Sequence, residues 1–250
     1  LNNKSKFALL IKTMFRKCLV IGFIGLSLSS CKEQKTDDVK GNTESKEKSV
    51  EELVYEKAKN RGDVNSAIYA INVILEKDSS RLDLADTLAY LYYRAGNPES
   101  CSDVVNMVLS KKPDDVKLLE LGGVSDQTIG NFLGAIDKFE RIYAINKDLK
   151  YHYQAGTIML NAGMFTELEK LVQEIIDDPN SAGAKVEIPN VQGKPQEVSL
   201  KAAAYNLKGY MYAAQNKKEP AVKAFRSALE YEKYFDLPAE GLNQILYGGK

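Results

Sequence analysis

Residues 204–231 read AYNLKGYMYAAQNKKEPAVKAFRSALEY, and this stretch decides how the chain folds. Tyr205, Gly209 and Tyr212 are spaced by four and then three residues, which places them on one face of a helix. After Asn216 the spacing recurs in Ala221, Phe225 and Ala228. Asn, like Gly, tolerates the left-handed backbone conformation that reverses a helix in a tight turn. The stretch is therefore two amphipathic helices folded back on each other at Asn216.

The same arrangement recurs upstream at a fixed stride. Gly62, Gly96, Gly130 and Gly163 stand where Asn216 stands, at intervals of 34, 34, 33 and then 53 residues. Five residues after each comes Ala67, Cys101, Ala135, Leu168 or Ala221. The next columns are Ile71, Val105, Phe139, Val172 and Phe225, then Ile74, Val108, Ile142, Ile175 and Ala228. Each second helix thus carries one apolar stripe, which a single pair cannot bury without a neighbour. Over residues 48–235 this pattern resembles the tetratricopeptide repeat (TPR), with Tyr205, Gly209, Tyr212, Ala221, Phe225 and Ala228 at signature positions. Leu88, Ala89, Tyr92 and the inter-repeat Pro113 add to it in the second unit. The resemblance implies an all-α fold, a right-handed α-solenoid of about five units. It departs from the family at Gly122 and Gly123, which fall inside a helix at about 1 kcal/mol each relative to Ala. Trp is absent.

Residues 48–250 are read as this solenoid. Ser49 and Glu52 have capping-box spacing at its start. A helix opened by Asp236-Leu237-Pro238 is expected to cap its end through Leu242, Ile245 and Leu246. The long last interval marks an insertion at about 177–200, where Val186/Ile188 and Val198/Leu200 alternate around Gln192-Gly193-Lys194. That pattern suggests a short β-hairpin. In the middle repeat, Ala135 is expected at a close helix crossing and Lys138 in solvent.

The N-terminus has another character. Residues 1–30 carry five cations and no acid; Arg16 and Lys17 precede an uncharged apolar run from Cys18 to Leu28. As a helix this run spans about 16 Å, against a ~30 Å hydrocarbon core, so it reads as a signal-peptide segment and not a membrane span. Leu28-Ser29-Ser30-Cys31 resembles the bacterial lipobox, which implies that Cys31 is lipidated and becomes the mature N-terminus. Met14 is the expected start. Residues 32–47 hold nine charges and one aliphatic residue, Val39, and with Cys31 they read as a tether reaching roughly 20–25 Å. Lys32 after the cysteine resembles outer-membrane sorting signals, so the expected location is the bacterial cell envelope, lipid-anchored at the outer membrane. Whether the solenoid then faces the periplasm or the surface stays open.

Composition narrows function further. The 250 residues balance 34 cations with 34 acids, and without residues 1–30 there are 29 cations, a net charge of −5. Nucleic acid is therefore not an expected partner. His152 has no second ligand at metal spacing, and Cys101 has no partner thiol after Cys18 and Cys31 are set aside. Ile188 stands where a phosphate loop would need its first glycine. No enzyme, cofactor or metal is expected. TPR proteins present a concave groove on their first helices, and register carries the groove onto Tyr90, Tyr93, Arg94, Lys117, Glu120, Tyr153, Asn206 and Tyr210. Asp86 and Glu120 fill positions where a carboxylate-binding clamp would need cations. The resemblance thus implies a membrane-anchored scaffold whose groove takes a protein or peptide, in envelope assembly or export. The alternatives are a glycan-binding outer-membrane lipoprotein and a subunit of an outer-membrane-protein assembly machine.

Overall fold

The computed structural model describes residues 48–248; the leader, Cys31 and the tether through residue 47 lie outside it. Five helical pairs follow one another. They are α1 (Val50–Arg61) with α2 (Val64–Lys77), α3 (Leu82–Arg94) with α4 (Pro98–Leu109), and α5 (Val116–Ile129) with α6 (Phe132–Asn146). Next come α7 (Leu149–Ala162) with α8 (Phe165–Asp177), the strands β1 (Lys185–Pro189) and β2 (Pro195–Ser199), and α9 (Leu200–Ala214) with α10 (Lys218–Tyr231). Helix α11 (Asp236–Tyr247) ends the series. Each second helix packs on its own first helix and on the first helix of the next pair, giving one continuous stack.

Local chemistry sets the boundaries. Gly62, Gly96, Gly130, Gly163 and Asn216 all have left-handed backbone, with φ between 60° and 82°. The residue after each reversal stands at the N-cap of the second helix, where Asp63, Asn97 and Asn131 accept amide protons from its first turn. Ser49 and Glu52 form the reciprocal capping box of α1, at 3.2 and 2.9 Å. Buried columns follow the stride: Ile71, Val105, Phe139, Val172 and Phe225 are all 0% exposed.

Gly122 and Gly123 have a packing reason. A Cβ on Gly122 would lie 2.6 Å from Cγ1 of Val105, and one on Gly123 would lie 2.8 Å from Cζ of Phe139. The helix gives up propensity so that its neighbours approach.

Lys138 corrects the sequence expectation. It is buried, its stem lies over Gly122, and its Nζ donates to Asp126 Oδ2 at 2.6 Å. Asp126, fully buried on α5, also accepts from the Ser102 hydroxyl of α4. A lysine enters the core here because its counter-charge is already inside. Ala135, in contrast, is 0% exposed as expected. Ala135→Leu should overfill the crossing and cost about 1–3 kcal/mol in urea unfolding. Leu133→Ala, at a site 69% exposed on the same helix, should stay within about 0.5 kcal/mol. Equal losses would mean that the crossing is not close.

The insertion is an antiparallel hairpin pairing Val186 with Val198 and Ile188 with Gln196. Leu200 belongs to α9 and not to the strand. Gly193 supplies a φ of 79° in the turn, and Asn190 Oδ1 accepts from the Gln192 and Lys194 amides. Val198 and Ile188 face inward at 1% and 7% exposed. Glu232, just past α10, accepts from Lys185 Nζ at 2.7 Å and the Ser199 amide at 2.9 Å. Gln196 donates to the Tyr234 carbonyl and accepts from the Asp236 amide. The hairpin thus fastens onto the α10–α11 turn. Helix α11 caps the stack through Leu242 and Ile245, while Leu246 is 48% exposed and takes little part.

Candidate functional site

The eight residues assigned to the groove by register lie on first helices: three on α3, two on α5, one on α7 and two on α9. The structure divides them. Tyr90 is 36% exposed near the end of α3, and Arg94, one turn further, sets its guanidinium carbon 6.0 Å from the Tyr90 ring centroid. Tyr93 is half-buried and leans on the main core. Because α3 packs against α5, this aromatic and cationic group lies on the same run of first helices as exposed Lys117 and half-buried Glu120.

Glu120 is an unusual carboxylate. Burial pushes its pKa above the ordinary value, and a hydrogen bond from Tyr151 opposes that shift. The Tyr151 phenol is itself pushed up to about 12, by burial first and then by the charge of Glu120.

The remaining three differ from what register alone suggests. Tyr153 and Asn206 are 9% and 4% exposed, so neighbouring helices cover the surface they were expected to show. Tyr210 packs edge-on against Phe225, with ring centroids 5.1 Å apart, and donates to the Leu237 carbonyl at 3.3 Å. It holds the capping helix in place. Asp86, the clamp-position acid, accepts from Lys112 at 2.9 Å through Oδ2. Asp86 Oδ1, Asn161 Oδ1 and Asn206 Oδ1 are buried without a hydrogen-bond partner, and all three lie on first helices.

Other chemistry-bearing residues serve structure. His152 is 3% exposed, stacked 4.2 Å from the Tyr143 ring, with Nδ1 2.8 Å from Glu140 and Nε2 3.1 Å from Glu174. Both ring nitrogens are engaged, and they join α6, α7 and α8. Burial pushes the Cys101 thiol pKa up, which works against thiolate chemistry. Among the described residues, no group of three His, Cys, Asp or Glu is placed to hold a metal. Nor is any described helix long and apolar enough to cross a membrane.

The stacked pairs, the left-handed reversals and the buried columns define the tetratricopeptide-repeat fold, a helical solenoid. No protein-family model and no curated protein matches the chain by sequence. Solved structures match it in fold. A crystal structure of MamA is similar at 19% identity and TM-score 0.52, covering 79% of this chain and 93% of that one. A second MamA structure gives 20% identity and TM-score 0.50 over 72% and 95%. YrrB, described as a TPR protein with an unusual peptide-binding site, gives 17% and 0.52 over 74% and 87%.

Proposed function

We propose that the chain is a non-enzymatic scaffold that binds a protein or peptide on its first-helix face and is held to a bacterial envelope membrane by lipid on Cys31. The observation that carries the binding reading is the cluster of Tyr90, Tyr93 and Arg94 on α3. Tyrosine and arginine are among the side chains most enriched at binding hot spots. A rigid helix stack presents them without further ordering cost. The fold shared with a TPR protein that has a peptide-binding site supports the same reading. The partner's identity is best sought by crosslinking in native membranes. Tyr90→Ala combined with Tyr93→Ala should weaken recovery of that partner by at least about 1 kcal/mol of affinity, roughly fivefold, with helicity unchanged. Recovery of every partner at the wild-type level would remove this face from the account.

The anchor rests on Leu28-Ser29-Ser30-Cys31 and on the charged tether after it. Cys31→Ala should move the protein from the membrane pellet to the soluble fraction. Wild-type protein that takes up no labelled palmitate, beside a mutant that still sediments with membranes, would defeat the lipoprotein reading. The tether's roughly 20–25 Å reach holds the solenoid clear of the headgroups, with its first-helix face open to a partner.

A further inference from the structure

The first pair has the sequence of an inner pair, although no described pair precedes it. Val50 lies twelve residues before Gly62, and the matching positions in later units are Leu84, Leu118, Tyr151 and Ala204. Leu84, Leu118 and Ala204 are 6%, 5% and 0% exposed, whereas Val50 is 71% exposed. Val54 repeats the contrast, at 39% against 1% for Leu88 and 0% for Ala155. In an inner pair the cover comes from the second helix of the pair before. Gly122, the counterpart of Val54 in the third unit, shows this through its approach to Val105 of α4. Leu53, 45% exposed, borders the same strip. Helix α1 therefore shows water an apolar strip at positions that α3 and α5 bury, while half-buried Tyr151 and Lys208 stand there in the fourth and fifth units.

Its charges indicate what covers it. The first turn of α1 holds Glu51 and Glu52, and the last turn holds Lys59 and Arg61, with exposed Lys57 before them. We propose that a second copy of this chain covers the strip, its α1 running antiparallel about a two-fold axis at Val54. Lys57 lies three residues after Val54 and Glu51 three before it, so each copy's Lys57 meets the other's Glu51. Glu51 also receives Lys77 of its own copy on Oε1. Antiparallel helices also set opposite dipole ends side by side. Parallel pairing would oppose acid to acid. The adjoining residues 32–47 are a poor cover, since they hold one aliphatic residue among nine charges. Both tethers start beside this interface, which suits two anchors in one bilayer.

The test uses the full chain in bacterial membranes. Val54→Cys, oxidised with copper phenanthroline, should give a covalent product of twice the chain's mass on a non-reducing gel. Wild type and Tyr69→Cys, whose site on α2 is 70% exposed, should remain monomeric. In detergent, Val54→Lys should halve the mass measured by light scattering while leaving the circular dichroism melt unchanged. Three results would overturn the proposal: a Val54→Cys thiol that takes maleimide freely and forms no dimer, equal dimer from Tyr69→Cys, or a crosslinked product whose mass is not twice the chain's. The last would assign the strip to a different protein.

Discussion

Asp126→Ala is expected to lower the unfolding free energy by about 3–5 kcal/mol, because it strands the Lys138 ammonium in the core. Lys138 is 5% exposed, and the carboxylate at 2.6 Å is its counter-charge. Its stem is held over Gly122, so the head cannot reach water without giving up that packing. Lys138→Met should also destabilise, taking the Lys138 charge from the buried Asp126 carboxylate while the Ser102 hydroxyl still donates to it. Combining the two changes removes both charges, and the loss should fall well short of the sum. Urea unfolding of wild type, both single variants and the double variant measures this. Additive losses would mean that the two side chains are not coupled in the folded protein.

Phe225→Ala is the second large effect, expected at about 3–5 kcal/mol. The ring is 0% exposed and lies where α9, α10 and α11 meet. It fills the hollow left by Gly209 and Gly241, where Cβ atoms would come within 2.4 and 2.7 Å of it, and Tyr210 packs against it edge-on. Removing it leaves a cavity that two glycines cannot close, so α11 should loosen before the rest. Limited proteolysis should then cut between α10 and α11 at protease levels that leave wild type whole. A variant with normal stability and no new cleavage would show that α11 does not depend on this ring.

Much of the fold was legible because helix reversal imposes a local requirement. Gly62, Gly96, Gly130, Gly163 and Asn216 occupy positions that few residues tolerate, and they mark the stride without reference to tertiary contacts. The columns beside them needed only helical periodicity. Lys138 was misread because its burial depends on Asp126, twelve residues earlier on another helix, and on the space left by Gly122; no local pattern announces that combination. Tyr153 and Asn206 share the register of half-buried Glu120, ten residues before the reversal, but register alone does not report how far neighbouring helices close over a position. The hairpin's alternation was visible, while its attachment through Glu232 and Gln196 links residues about 40 positions apart.

That attachment makes the two ends of the solenoid mechanically unequal. Through Lys185, Gln196 and Ser199 the hairpin is fastened to the segment that joins α10 to α11, so the end of the stack is cross-braced. At the other end, α1 of a single copy leans on α2 with Val50, Leu53 and Val54 exposed. A load entering at residue 48, as it would if the proposed lipid anchor holds the chain, meets the softer end first. Peeling α1 and α2 away would add their length to the extended chain while the hairpin-braced end stayed folded.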